Sequence, residues 1–167
     1  MSTQNKRILV FGNSGSGKST LAKQLASKHA LAHMDLDTIA WLPGEPPTRQ
    51  SIGDSHNAIS EFTLAHDDWV IEGCYADLLS LLLDKANELI FMNLPVEQCI
   101  ENAIRRPWEP HKYASKQAQD ANLEMLCDWI AQYPNRDDVL SLNAHKRLYN
   151  EFEGKKHVLT FNDAYSD

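Results

Sequence analysis

Residues 12–19 read Gly-Asn-Ser-Gly-Ser-Gly-Lys-Ser, a complete G-x-x-x-x-G-K-[ST] pattern. The chemistry that this spacing serves is phosphate binding. Glycines at 12, 15 and 17 let successive backbone N–H groups turn inward on phosphate oxygens. Lys18 carries its charge to the terminal phosphates, and Ser19 offers a hydroxyl to Mg²⁺. The expected nucleotide contacts are therefore Gly12, Asn13, Ser14, Gly15, Ser16, Gly17, Lys18, Ser19 and the adjoining Thr20, with ATP and Mg²⁺ as cofactors. A dinucleotide fingerprint needs G-x-G-x-x-G, and the spacing here is G-x-x-G-x-G followed by Lys, which excludes it.

Two further groups could act on a bound triphosphate. Asp35 and Asp37 alternate at the end of an apolar segment and so can point the same way. One is expected to face a Mg²⁺-bound water and the other an acceptor hydroxyl. The competing role for Asp37 is to cap a turn before Thr38. The second group is basic. Between His29 and Ile104 the only Lys or Arg residues are Arg49 and Lys85, whereas Arg105, Arg106, Lys112 and Lys116 fall within twelve residues beside His111. A proline-bounded loop with that charge could cover the transferring phosphate and exclude water, although a solvated basic loop would have the same composition. His29 and His33 have an i, i+4 spacing, but the turn between them makes both structural rather than metal ligands.

The elements that must position these residues follow from hydrophobic periodicity. Arg7-Ile8-Leu9-Val10-Phe11 reads as a buried strand that delivers the glycine loop, and Lys18 to His29 reads as the helix behind it. Residues 31–35 form a second strand, 69–72 a third stopped by Gly73, 88–93 a fourth and 157–161 a last. Helices are expected over 48–66, 75–85, 96–106, 120–132 and 138–152. Residues 41–47, Trp-Leu-Pro-Gly-Glu-Pro-Pro, are expected to form a loop without regular structure. Strands alternating with helices imply an α/β fold with a parallel sheet covered on both faces. Ligands of such sheets sit beyond the carboxyl ends of the strands, where Asp35, Asp37, Glu72-Gly73-Cys74-Tyr75 and Asn93 lie.

The 167 residues suit one domain over 1–167, with a lid at about 107–116 inside it. The net charge of −7 argues against a nucleic-acid partner held by broad electrostatics. No apolar run is long enough to span a bilayer, and the polar start leads straight into the first strand, so no signal peptide or membrane partner is expected. Three widely spaced cysteines fit free thiols in a reducing, cytoplasmic compartment.

The chain resembles the small P-loop kinases related to adenylate and shikimate kinases over almost its whole length. Asp35-Leu36-Asp37 is similar to the Asp-x-Asp of shikimate kinases, and Arg106-Pro107 to the Arg-Pro of their lid. Glu72-Gly73 stands where adenylate kinases have Asp-Gly, and residues 69–75 resemble a motif of adenylate-kinase-like bacterial proteins, some labelled DNA topology modulation proteins. The resemblance implies a five-stranded sheet of order 2-3-1-4-5, a Mg²⁺-water role for Asp35, an acceptor-hydroxyl role for Asp37 and a phosphate contact from Arg106. Lys18, Asp37 and Arg106 are the expected catalytic residues, and Ser19 and Asp35 the metal-side ones. The resemblance stops short of the acceptor: Cys74-Tyr75-Ala76 replaces the Phe-Pro-Arg of adenylate kinases, and the glycine run of shikimate kinases is reduced to Gly73.

The expected activity is ATP-dependent phosphoryl transfer to a hydroxyl-bearing small molecule. The alternatives are a nucleoside monophosphate kinase and an ATP-binding regulatory switch. Charge separates the first two, because a monophosphate brings about two negative charges that kinases meet with several arginines. Between Asp35 and Asn93 the chain has eleven carboxylates, Glu45 among them, against Arg49 and Lys85. The acceptor is therefore expected to be neutral, cationic or singly anionic. Asp37 would meet its hydroxyl and Arg49 would anchor it, Trp41 and Tyr75 would pack on its body, and Glu72 and Gly73 would line its pocket.

Overall fold

The computed structural model describes residues 4–44 and 47–166. Glu45 and Pro46, inside the expected loop, lie outside them. Five parallel strands build the sheet: β1 (Arg7–Gly12), β2 (Ala32–Asp35), β5 (Trp69–Gly73), β6 (Glu88–Met92) and β7 (Lys155–Leu159), in the order β2-β5-β1-β6-β7. Counted along the sheet strands alone, this is the expected 2-3-1-4-5. The remaining pair, β3 (Trp41–Leu42) and β4 (Thr48–Arg49), makes a short antiparallel ribbon. The proline-rich segment thus begins in a strand, and the expected helix over 48–66 gives up its first residues to that ribbon's second strand.

The sheet is apolar on both faces because successive strand residues point to opposite sides. On β1, Leu9 and Phe11 face one layer and Ile8 and Val10 the other, and all four are fully buried. The first layer packs under α2 (Ile52–Ala65), α3 (Ala76–Leu79) and α7 (Leu142–Glu151), with Phe11 stacked on Phe91 at 5.0 Å. The second packs under α1 (Lys18–His29), α4 (Val96–Arg105) and α6 (Leu123–Ala131) through Leu25, Cys99 and Ile130. Each such buried aliphatic or aromatic side chain contributes about 1.5–3 kcal/mol.

Three helices differ from their expected bounds for local reasons. The expected helix at 75–85 is only α3 followed by a 3-10 turn, Ser80–Leu82, because Leu78, Leu79 and Leu82 are all drawn into the core at once. The expected helix at 120–132 is two: α5 (Lys116–Ala121), started early by the Ser115 cap on the Ala118 N–H, and α6 after a break at Asn122. At 138–152 the helix starts late. The Asp138 side chain accepts from the Leu140 N–H, a turn that competes with helix, and Ser141 caps α7 on Ala144. Val139 is 36% exposed, and its carbonyl accepts from the Ala76 N–H.

Candidate functional site

The carboxyl ends of β1, β2 and β5 open into a cleft of about 1290 Å³. β1 delivers the glycine loop to its floor. Gly15 sits at φ 78°, and a side chain there would collide with the Cys99 carbonyl. Ser14, Gly15, Gly17, Lys18, Ser19 and Thr20 line the cleft, beneath the N-terminus of α1. That helix end favours an anion. Gly12, Asn13 and Ser16 do not line it. Asn13 turns its side chain to the Ile130 carbonyl (3.2 Å), while its own carbonyl accepts from Lys18 Nζ at 2.8 Å.

One wall is acidic. Asp35 and Glu72 are register partners on β2 and β5. Glu72 is almost wholly buried, and its Oε1 accepts from the Ser19 hydroxyl while Oε2 lies 2.6 Å from His33 Nε2. Glu72 is therefore engaged with the phosphate-loop serine rather than standing free toward an acceptor. Burial, then the charges of Asp37 and Glu72, hold the Asp35 carboxyl above its ordinary pKa. Among the described residues no group of three or more His, Cys, Asp or Glu could hold a metal alone. Ser19, Glu72 and Asp35 beside an anion site instead fit Mg²⁺, which binds through one or two carboxylates together with phosphate oxygens and water.

Beyond this wall stands Asp37. A 3-10 turn, Leu36–Thr38, carries it, with Asp35 accepting from the Asp37 N–H. It is Asp35, not Asp37, that caps this turn. The Trp41 indole donates to the Tyr75 hydroxyl at 2.7 Å, and that hydroxyl donates to Asp37 Oδ1. An indole N–H can only donate, so the direction of the chain is fixed. Lys112 Nζ lies 3.1 Å from Asp37 Oδ2. Burial raises the Asp37 pKa, but Lys112, Tyr75 and Lys18 outweigh it and hold the carboxyl below its ordinary value. Trp41, Gly73 and Tyr75 also line the cleft, yet both aromatic rings are wired to Asp37 as well as facing the opening. Gly73 has no side chain to clash with Leu36, which lets the Asp37 turn lie directly on β5.

Arg49 is the residue that the structure moves. It does not line the cleft. Its guanidinium is held by Asp77 (3.1 Å) and the Ala40 carbonyl (3.2 Å), stacked 4.8 Å from the Tyr75 ring. It braces Tyr75 from behind and is committed elsewhere as an anchor.

Residues 105–113 line one side of the cleft. Gln119 of α5 ties this segment down through the Glu109 N–H (2.8 Å) and the Pro107 carbonyl (3.1 Å). Of the four clustered cations, Arg105, Arg106 and Lys112 line the cleft, and Arg106 and Lys112 are the more buried of the three. Arg105 pairs with Glu101 and Lys116 with Asp120 on the exposed side. Glu109, which spacing did not single out, takes Arg106 Nη1 on one oxygen at 3.2 Å and Lys112 Nζ on the other at 3.6 Å. Burial lowers the Lys112 pKa, but the facing carboxylates, Asp37 first, raise it above its ordinary value.

His145 is a second residue without a sequence signal. Fully buried, it bonds the Cys74 carbonyl through Nε2 (2.7 Å) and Tyr133 through Nδ1 (2.6 Å). A carbonyl only accepts, so Nε2 carries the proton and the Tyr133 hydroxyl donates to Nδ1. This clamp pins the link from β5 to α3 between Glu72 and Tyr75. Burial, despite the Cys74 carbonyl, lowers the His145 pKa to about 4. An unfolded histidine titrates near 6.5. The stabilisation of the neutral form is thus complete above pH 6.5 and is lost as pH falls toward the folded value. We expect stability to drop by about 2 kcal/mol between pH 7 and pH 5 from this group. Urea unfolding at the two pH values, compared with His145→Gln, measures it: the variant should lose this component of the pH dependence.

The sheet order and the glycine loop define an α/β P-loop NTPase-like fold. No family model matches the chain, and no curated protein matches it. Among solved structures it is similar to a shikimate kinase from Bacteroides thetaiotaomicron, at 18% identity over 93% of this chain and 85% of that one, TM-score 0.53. It is also similar to a sugar kinase from Janibacter sp., at 14% identity over 93% and 85%, TM-score 0.50. The fold is thus P-loop-kinase-like. No helix among the described residues is long and apolar enough to cross a membrane.

Proposed function

We propose that the chain is a single-domain kinase, with residues 107–116 or thereabouts as its lid, that transfers the γ-phosphoryl group of ATP to the hydroxyl of a small molecule. The observation that carries this reading is the presence of Asp37 and Lys18 in one cleft, close enough for the lysine's charge to act on the carboxylate. The phosphate loop and the α1 N-terminus take the triphosphate. Lys18 and Arg106 face the charge that develops on the moving phosphoryl group. Ser19, Glu72 and Asp35 would hold Mg²⁺, which when bound neutralises phosphate charge. Asp37, oriented by Tyr75, accepts the hydroxyl proton as the acceptor oxygen bonds to phosphorus and the bond to ADP breaks. The sugar and shikimate kinases of similar fold, which by name act on hydroxyl compounds, support the same class.

The position of Arg49 argues against a nucleoside monophosphate acceptor. With that guanidinium outside the cleft, the arginines that line it are Arg105 and Arg106, and these are paired with Glu101 and Glu109. ADP release above the no-acceptor rate, measured with AMP, CMP, UMP and GMP against nucleosides, sugars and hydroxy acids, tests the reading. A compound without a phosphate group should be the best substrate. A monophosphate as the clear best would return the protein to the nucleotide kinases, and MgATP binding without any acceptor effect would point to the switch.

A further inference from the structure

We propose that the acceptor carries a protonated amine near its hydroxyl, and that the amine binds between Asp37 and Glu109 where the Lys112 ammonium now sits. The inference rests on the kinase reading for the word acceptor, but the amine site itself rests on charge. Lys112 Nζ lies 3.1 Å from Asp37 Oδ2 and 3.6 Å from Glu109 Oε2, so the cleft already holds a primary ammonium between two carboxylates. Both carboxylates depend on lid cations for neutralisation. Glu109 takes Arg106 on its other oxygen, and a bound triphosphate is the stronger partner for Arg106 and Lys112 alike. As they turn to the phosphates, Asp37 and Glu109 lose their counter-charges.

Of the other basic groups beside these carboxylates, Lys18 belongs to the phosphate loop, and His111, whose Nε2 lies 3.7 Å from Glu109 Oε2, is a cation only when protonated. Arg49 is held by Asp77, and Arg136 donates to the Trp129 and Leu140 carbonyls while stacked 3.6 Å from the Trp129 ring. An acceptor carboxylate or phosphate would meet two like charges. A neutral polyol would leave both carboxylates uncompensated in a partly enclosed site, which is costly. An amino alcohol or amino sugar supplies the missing charge and places its hydroxyl beside Asp37. In the transfer, the bond from the γ-phosphorus to ADP breaks, the acceptor oxygen bonds to it, and the hydroxyl proton passes to Asp37. The amine stays protonated throughout.

A matched set of 2-aminoethanol, ethylene glycol and glycolate tests the site in the full chain with the Mg²⁺ complex of a non-hydrolysable ATP analogue present, followed by the Trp41 indole N–H resonance in ¹⁵N-labelled protein. That resonance reports on Asp37 through Tyr75. We expect 2-aminoethanol to saturate at a concentration about tenfold or more below that for ethylene glycol, and glycolate not to bind. Lys112→Met, which vacates the site, should tighten 2-aminoethanol further. Equal binding of the glycol or glycolate, or no response to any of the three, overturns the inference. ADP formation with glucosamine, glucose and gluconate separates it from the kinase reading. Faster turnover of glucose or gluconate sinks the amine and keeps the kinase. Selective amine binding with no ADP formed from any compound sinks the kinase and keeps the amine site.

Discussion

Asp37→Asn is expected to lower turnover at saturating MgATP by about 10²–10⁴-fold, the usual worth of a positioned general base. The substitution preserves shape, and the asparagine carbonyl can still accept from Tyr75. What it removes is the proton acceptor and the charge facing Lys112. The Asp37–Lys112 pair is about a third exposed on both sides, so its loss should cost no more than about 1 kcal/mol of stability. Nucleotide affinity should change far less than turnover if Asp37 serves the acceptor, as proposed. Rates of ADP formation with the best acceptor, set against MgATP binding by calorimetry, separate the two quantities. Equal losses in both would reduce Asp37 to a structural partner of the lid.

Lys18→Ala should abolish most of the stabilisation that MgATP gives the folded protein. Binding to the native state alone raises stability by RT ln(1 + [L]/Kd), about 2.7 kcal/mol at a hundredfold excess over Kd. In the wild type, melting temperature should therefore climb with MgATP concentration. Among the described residues the Lys18 ammonium donates to the Asn13 carbonyl, within its own loop. Its removal leaves both packed layers intact, so the unliganded variant should melt close to the wild type. A variant that kept the full nucleotide-dependent shift would mean that the loop holds no triphosphate through this lysine.

The sequence was most legible where function depends on local geometry. A phosphate loop works through consecutive backbone groups, so the order strand, glycines, Lys18, Ser19, helix could be read directly, as could the alternation of strands and helices that dictates a parallel sheet. Asp35 and Asp37 were also visible, because a strand end fixes where its next residues emerge. Helix bounds were less so. Asp138 and Ser115 decide where backbone turns begin, and the burial of Leu78, Leu79 and Leu82 together depends on the layer that they meet.

Long-range pairing left no trace in spacing. Arg49 read as a free cation because Asp77, its partner, lies in another element, and a charge is available to a ligand only when nothing nearer neutralises it. Glu72 read as an acceptor contact until β5 set it against Ser19 of α1 and His33 of β2. Glu109 was one acid in a basic loop, yet it holds two of that loop's cations. His145, far along the chain, reaches Cys74 because α7 packs across the sheet. The sequence by itself determined that this chain sets a glycine loop of the phosphate-binding pattern at the end of a parallel sheet, since local backbone chemistry suffices for that. Only the tertiary structure decided which charges remain available around that phosphate, because neutralisation acts through distance in space, which separation along the chain does not encode.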